Sequence, residues 1–212
     1  MSSAVDWQQE TRRYDRPHPR LKRMAAVLAA GPQRRLLDVG CSTATLRHLL
    51  PADFEYHGCD VADHAARLLP PGRFLHRDLN RSADLSFFRP CDIDAIHIGG
   101  VVEYLERPGE VLRELHGLVP PGAPLVCSLI NFQSLRYADP RRRHPGWIYR
   151  PTLDEFRIEL RDAGWRLLDE RAFLGRSGWR GWWFRRWADL RGVDHPQTRA
   201  AAEQFILRAA AT

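Results

Sequence analysis

The sequence has no run of roughly 18 consecutive apolar residues, which is the length that a membrane-spanning helix requires. Its first thirty residues are polar and charged before any apolar run, which is not the order of a secretory signal, so we expect no export. No Cys-x-x-Cys pair or histidine cluster occurs, and the cysteines lie far apart, at Cys41, Cys59, Cys91 and Cys127. This pattern predicts reduced core thiols in the cytoplasm, with neither disulfides nor a metal site.

Lysine is almost absent, since Lys22 is the single lysine among 32 basic residues. The many arginines therefore reflect a composition bias and do not individually indicate phosphate contacts. The net charge of +6 comes from residues 131–212, which carry 16 basic and 10 acidic residues, whereas residues 1–130 carry 16 of each. We interpret this excess as a solvated basic face.

Two phosphate-binding motifs are also missing. No GxxxxGK[ST] occurs, which excludes a P-loop nucleoside triphosphatase. The stretch "GCSTAT" is not GxGxxG, because Ser42 and Ala44 stand where glycines would. Dinucleotide binding depends on those glycines, so NAD is disfavoured as a cofactor.

Short apolar strands alternate with helical segments along the first two thirds of the chain. The predicted strands are "RLLDVG", "FEYHGCD", "GRFLHRD", "DIDAIHIGG" and "APLVCSLIN". A first helix from about Arg20 to Ala30 precedes them, and "TLRHLL", "DHAARLL" and "PGEVLRELHGLV" are predicted helices between them. Near-continuous apolar strands joined by helices indicate a parallel sheet covered on both faces. We therefore predict a doubly wound α/β fold, with ligands at the carboxyl ends of the strands.

The last third of the chain changes character. "TLDEFRIELRDAGW" predicts a helix with Thr152 as N-cap and Glu155 as capping-box partner, followed by a sixth strand. The final "EQFILRAAA" predicts a seventh strand that pairs antiparallel with the sixth. Residues 173–202 fit no sheet pattern and are predicted to be an insertion rich in Trp and Arg. We expect one domain over 1–212, beginning with a helical segment over 1–31.

The stretch "RRLLDVGCSTATLRHLL", residues 34–50, places small side chains where a strand turns into a helix. Small residues there let a ligand approach the backbone, and the new helix offers free N–H groups. Gly40 is the position where a side chain would obstruct that approach. Asp60 follows Gly40 by twenty residues at the end of the next strand, a spacing at which a carboxylate accepts the hydroxyls of a ribose. Together these residues predict a nucleoside site without identifying the nucleoside.

These residues resemble a known family. "LLDVGCSTATL" resembles motif I of the Rossmann-like, class I S-adenosylmethionine-dependent methyltransferases, usually LDVGCGTG. "GCDVADH" resembles their motif II, and "HRDL" the acidic position after the third strand. "IHIGGVVEYLERPGEVLRELHGLVPPGAPLVCSLIN" resembles the span written as a strand, VLEHLPDP, a helix, LKPGG and a strand. The likeness covers about four-fifths of the chain and extends to short bacterial methyltransferases of the ubiquinone- and methionine-biosynthesis-associated type.

The resemblance implies a mostly parallel seven-stranded methyltransferase sheet with an antiparallel last strand, and S-adenosylmethionine as cofactor. The resemblance implies cofactor-binding positions at four places. Asp38 and Gly40, with Ser42 in the same turn, lie near the methionine part, and Asp60 lies at the ribose with Val61 after it. Asp78 and Leu79 lie at the adenine edge, and Gly99 faces the sulfonium and the substrate. The three acids also have plainer interpretations as turn or cap residues. Ser42 and Ala44 replace glycines of the family, which puts the clearance of the turn in question.

Methyl transfer from a sulfonium is an in-line displacement, so alignment and exclusion of water are the main tasks. A general base helps only when the nucleophile is a hydroxyl or a thiol. The candidates near the strand ends are His97 in the fourth strand, Glu103 where the family writes the Glu of VLEHL, Tyr104 beside it, and His144 in "RRRHPGW" after the fifth strand. Tyr104 replaces the His that follows that Glu in the family. The alternatives are a core residue for His97 and a helix-start carboxylate for Glu103.

We predict methyl transfer to a small-molecule acceptor, at a hydroxyl oxygen. No [ND]PP[YF] follows the fourth strand and no RNA-binding module is added, so a nucleic-acid partner is not expected. Two alternatives stay open. One is an RNA or protein methyltransferase that uses the basic C-terminal part, and the other is a non-catalytic scaffold with a degenerate glycine loop.

Residues 173–187, "FLGRSGWRGWWFRRW", hold six aromatic residues, four arginines and no acid. This composition is typical of a lid over a substrate pocket, of a peripheral contact with a membrane or a lipid-linked substrate, of a platform for nucleic-acid bases, or of a partner-facing patch. Arg186 falls inside the arc that the tryptophans share on a helical wheel, so the amphipathic division is imperfect.

Overall fold

A computed structural model of the 212-residue chain describes residues 5–10, 17–137, 139–174 and 179–212. Its strands are β1 (Arg35–Val39), β2 (Glu55–Asp60), β3 (Phe74–His76), β4 (Ala95–Gly99), β5 (Pro124–Ile130), β6 (Trp165–Phe173) and β7 (Gln204–Ala211). Its α-helices are α1 (Trp7–Glu10), α2 (Pro19–Ala29), α3 (Pro108–His116), α4 (Leu153–Asp162), α5 (Trp179–Arg191) and α6 (Pro196–Ala201).

The seven strands form one sheet in the order β3-β2-β1-β4-β5-β7-β6. Strands β1 to β5 pair in parallel, and β7 runs antiparallel between β5 and β6. This topology confirms the predicted fold. The strand order reverses direction between β1 and β4, and in such sheets a ligand cleft opens at that switch point.

Two of the predicted helices are of the 3-10 type. Thr45–Leu49 and His64–Arg67 are short 3-10 helices rather than α-helices. Prolines follow both segments closely, at Pro51 and Pro70. A proline disfavours helical backbone in the residue before it, and segments this short do not repay α-helix nucleation.

The side chains of β1 and β4 alternate between two cores. Leu37 and Ile96 join the core that includes α3 and α4, whereas Leu36 and Ala95 join the core beneath α2. Two polar residues share the α2 face, because Asp38 and His97 pair in register on these adjacent strands.

The insertion between β6 and β7 packs against the body of the domain. Asp189 of α5 lies 3.7 Å from Arg23 of α2, and the backbone N–H of Leu135 donates to the Ala200 carbonyl of α6 at 3.1 Å. The helix before β6 has the predicted capping box between Thr152 and Glu155. In the described parts of the chain, no helix combines the length and the apolar character needed to cross a membrane.

Candidate functional site

A cleft opens at the carboxyl ends of β1, β2 and β4. All eight predicted cofactor-binding positions line it, namely Asp38, Gly40, Ser42, Asp60, Val61, Asp78, Leu79 and Gly99. Residues far apart in the chain meet here because the carboxyl ends of parallel strands share one edge of the sheet.

The turn after β1 keeps a glycine-type backbone although two of its glycines are replaced. Gly40 has φ +72°, and a Cβ there would lie 2.1 Å from Cγ2 of Val101, so only glycine fits. Ser42 and Ala44 have φ values of 51° and 55°, in the left-handed region. The Ala44 methyl group packs in the core beneath α2, so only Ser42 adds a side chain to the cleft wall.

Asp60 already accepts two backbone hydrogen bonds. Its Oδ2 accepts from the Ser42 N–H and its Oδ1 from the Ala62 N–H, each at 2.8 Å. Burial raises the pKa of the Asp60 carboxyl, and these backbone donors oppose the shift. Each carboxylate oxygen has a second lone pair, so the group retains capacity for ribose hydroxyls.

Asp38 is buried, with both carboxylate oxygens engaged. Nδ1 of His97 lies 2.6 Å from Oδ1, and the Tyr56 hydroxyl donates to Oδ2. Asp38 and His97 therefore form a hydrogen-bonded pair, and both residues line the cleft.

The wall beyond β3 is tied to the segment after β4 by a residue that the sequence did not indicate. Oδ1 of Asp78 accepts the Asn80 N–H at 3.0 Å. The Asn80 side chain donates to the Tyr104 carbonyl at 2.9 Å and accepts the Glu106 N–H at 2.8 Å. No sequence pattern marks this asparagine, because its partners lie more than twenty positions away.

Aromatic and cationic side chains also line the cleft, at Trp7, His18, Arg20 and Tyr104. The Trp7 and Tyr104 rings stand perpendicular with centroids 4.8 Å apart. Nε2 of His64 lies 2.8 Å from the Gln8 carbonyl. Helix α1 therefore spans the cleft, from the segment after β4 to the segment after β2.

The three predicted catalytic residues have different surroundings, because His97 lines the cleft and Glu103 and His144 do not. Glu103 is fully buried, its Oε1 accepts the Ile130 N–H at 2.7 Å, and burial raises its pKa. His144 lies behind Tyr104, with ring centroids 5.4 Å apart.

The four cysteines are free thiols, as predicted, and Cys41 and Cys59 line the cleft. Burial raises the pKa of both thiols, which keeps them protonated and unsuited to act as nucleophiles. Among the described residues, no group of three or more His, Cys, Asp or Glu side chains is arranged to hold a metal ion.

The insertion does not contribute to the cleft in the parts of it that the structure describes. Its predicted role as a lid therefore has no contact to support it, although residues 175–178 lie outside the described residues. Trp182 and Trp183 are 47% and 60% exposed, and the Arg186 guanidinium lies 5.3 Å from the centre of the Trp182 ring.

Residues 37–125 match a family model described as a methyltransferase domain. This segment is similar to the methyltransferase domains that the family model describes. The match contains the β1 turn, Asp60, Asp78 and Gly99. The matched segment thus contains every cofactor-binding position that the resemblance implied.

Similar proteins agree with the fold of this domain. A ubiquinone biosynthesis O-methyltransferase from Ruegeria pomeroyi is 30% identical over 164 residues, which are 66% of this chain and 63% of that protein. The chain thus spans somewhat less than two thirds of that relative. One similar structure is a 1,6-didemethyltoxoflavin-N1-methyltransferase from Burkholderia thailandensis, with 1,6-didemethyltoxoflavin and S-adenosylhomocysteine bound. Its TM-score is 0.64 at 15% sequence identity, and the match covers 97% of this chain and 84% of that chain. The [4+2]-cyclase SpnF has a TM-score of 0.59 at 22% identity, covering 98% and 83%.

The cleft of this domain fits the cofactor on its own geometry. The turn keeps the left-handed backbone at Ser42 and Ala44, so the replacements have not closed it. In addition, Nε2 of His97 is a buried polar atom with no hydrogen-bond partner, at the wall of the cleft. An unpartnered buried atom of this kind is costly unless an ordered water or a ligand satisfies it.

Proposed function

We propose that the protein transfers a methyl group from S-adenosylmethionine to a hydroxyl oxygen of a small-molecule acceptor. The observation that carries this proposal is the position of α1, which spans the cleft through the contacts of Trp7 with Tyr104 and of Gln8 with His64. A covered cleft suits a small acceptor better than a polymer. The Ruegeria pomeroyi relative, an O-methyltransferase of ubiquinone biosynthesis by name, supports the same choice.

When bound, the cofactor supplies a methyl group on a sulfonium. In this proposal Asp60 accepts the ribose hydroxyls, with Val61 beside it. Asp78 and Leu79 contact the adenine edge. The Gly40 turn, with Ser42, approaches the methionine part. Gly99, at the end of β4, leaves room for the reacting atoms.

Arg20 and His18 define the chemistry of the acceptor end in this proposal. The Arg20 guanidinium lies 2.9 Å from the position that a Gly100 Cβ would occupy, and it donates to Gln204 at 3.1 Å. Desolvation and the Arg20 charge lower the pKa of His18, whose Nδ1 accepts the Arg20 N–H at 3.2 Å. Neutral His18 therefore carries its proton on Nε2 and acts as a donor. An acceptor with anionic or phenolic character matches this combination of a guanidinium and a donor.

Glu103 and His144 act as supports in this proposal. Buried Glu103 holds β5 through Ile130, and its carbonyl accepts the Ile148 N–H at 2.9 Å. His144 packs against Tyr104, which itself lines the cleft. Both residues therefore position the acceptor end without touching it.

We also propose a cytoplasmic location, with peripheral lipid contact through residues 173–187. The exposed Trp182 and Trp183 rings beside Arg186 support such contact. Sedimentation with vesicles of anionic lipid, and with vesicles of phosphatidylcholine alone, tests it. The double variant Trp182→Ala, Trp183→Ala should lose sedimentation with the anionic vesicles, and unchanged sedimentation would contradict the contact.

Calorimetric titration with S-adenosylmethionine and S-adenosylhomocysteine tests the function, followed by a screen of phenolic acceptors for methyl transfer. We expect dissociation constants on the order of micromolar. Absence of binding at millimolar ligand would favour the non-catalytic scaffold instead. Methylation of RNA or protein that weakens strongly with added salt would favour the polymer-modifying alternative.

A further inference from the structure

The α2 face of the sheet carries an acid and an imidazole side by side at the bottom of the cleft. Asp38 on β1 and His97 on β4 are in register, and both are buried. Nδ1 of His97 lies 2.6 Å from Oδ1 of Asp38, and the Tyr56 hydroxyl donates to the other carboxylate oxygen. Both Asp38 oxygens thus have protein donors, and Asp38 and His97 both line the cleft.

This contact determines which nitrogen of His97 can accept a hydrogen bond. An ionised carboxylate only accepts, so Nδ1 carries the proton that it donates to Asp38. In the neutral ring Nε2 is then an acceptor. The structure gives Nε2 no hydrogen-bond partner although the atom is buried, and the ring lines the cleft.

Nε2 lies beside Gly99, the last residue of β4. A Cβ on Gly99 would lie 2.7 Å from Nε2 and 2.7 Å from Cε1 of His97. Only glycine at this position leaves the imidazole in place. The unpartnered nitrogen therefore lies at the end of β4.

The orientation of the cofactor decides which of its groups meets this nitrogen. With the ribose at Asp60 on β2, as proposed above, the amino-acid part of the cofactor lies across β1 toward β4. That part ends in an ammonium and a carboxylate, and an unprotonated ring nitrogen pairs with the ammonium. We propose that Nε2 of His97 accepts a hydrogen bond from the cofactor's ammonium group, so that Asp38 acts through His97 rather than on the cofactor. This inference rests on the proposed binding orientation.

The variant His97→Asn isolates the contact. An Asn amide group stands near the position of Nδ1 and can still donate to Asp38, but it has no atom at the position of Nε2. We expect its affinity for S-adenosylhomocysteine to fall roughly 10- to 100-fold, the scale of a hydrogen bond to a charged group. Its affinity for 5′-methylthioadenosine, which lacks the amino-acid part, should stay unchanged. Calorimetry with both ligands measures the difference.

Two further variants separate binding from folding. His57→Asn changes another buried histidine, on β2, that lies outside the cleft, and should bind both ligands like the wild type. His97→Gln places an amide group near the position of Nε2 and should recover part of the affinity for S-adenosylhomocysteine.

Equal losses for both ligands in His97→Asn, or an affinity for S-adenosylhomocysteine within about twofold of wild type, would overturn the inference. If the wild type itself bound neither ligand, the proposed function would fail instead, so the two failures are distinguishable.

Discussion

The backbone N–H of Ser42 donates a hydrogen bond to Oδ2 of Asp60 across 2.8 Å. This bond joins the turn after β1 to the acid at the end of β2, so the two motifs act as one unit. It also orients the carboxylate before any ligand arrives, because Ala62 holds the other oxygen. Replacing Asp60 therefore affects both the ribose contact and the turn.

Asp60→Ala should weaken S-adenosylhomocysteine binding by about 1.5–3 kcal/mol, the scale of hydrogen bonds to a charged group. Calorimetry measures the change. Asp162→Ala is the matched control, since Asp162 is exposed and lies outside the cleft. An affinity in Asp60→Ala equal to that of the control would remove Asp60 from the site.

Cofactor affinity should depend on pH through Asp60. Burial raises the pKa of this carboxyl, so on acidification it takes up a proton at a higher pH than the roughly 3.9 of an unperturbed aspartate. A protonated carboxyl accepts ribose hydroxyls poorly. Affinity for S-adenosylhomocysteine should therefore be constant near neutral pH and fall as the pH drops through the raised pKa. Asp60→Asn should bind S-adenosylhomocysteine more weakly at neutral pH, and its affinity should not fall further over this pH range. An equal fall of affinity with pH in both proteins would contradict the role of Asp60 at the ribose.

Ser42→Gly should stabilise the protein. An L-residue in the left-handed region costs roughly 1–2 kcal/mol, and glycine avoids that cost at the expense of chain entropy. We expect the free energy of unfolding in urea to rise by about 0.5–1 kcal/mol. Ala44→Gly should gain less, because its methyl group is buried and lost.

Ala26→Gly is the control for the Ser42 variant, because glycine should lower the free energy of unfolding at this position instead of raising it. Ala26 is an exposed residue inside α2, where glycine should destabilise by about 1 kcal/mol. A loss of stability in Ser42→Gly comparable to that of Ala26→Gly would show that the serine side chain outweighs the backbone strain.

Glu103→Gln should retain methyl transfer and become more stable than the wild type as the pH rises. Burial raises the pKa of Glu103, so the folded protein keeps this proton to a higher pH than the unfolded chain, whose value is about 4.3. The free energy of unfolding that the Glu103 proton contributes to the wild type is therefore lost as the pH rises from the unfolded to the folded pKa. Glutamine does not ionise, so the variant keeps its stability over this range. Urea unfolding across this range measures the difference. Exposed Glu106→Gln is the control, and loss of methyl transfer in Glu103→Gln alone would restore Glu103 as a catalytic candidate.

The sequence indicated which residues meet at the ends of β1, β2 and β3, because these residues belong to local motifs at strand ends. Gly40 and Asp78 follow such strands, and Asp60 ends one. The surroundings of the catalytic candidates did not follow from the sequence. Glu103 and His144 were chosen by their places in the chain. In the structure Glu103 is fully buried outside the cleft, and His144 packs against the Tyr104 ring, which lines the cleft instead. Helix α1 has four residues and no periodic pattern, so nothing local indicated that Trp7 reaches Tyr104.

By itself, the sequence determined the doubly wound sheet, its antiparallel last strand and the placing of the cofactor residues at one edge, since these follow from strand patterns and short-range turn chemistry. Only the tertiary structure decided that Trp7 of α1 lines the cleft, that Asn80 ties two walls together, and that Asp38 and His97 form a buried pair with one imidazole nitrogen unpartnered. The physical reason is that these relations depend on contacts between segments far apart in the chain, which arise only when the sheet brings its strand ends to a common edge.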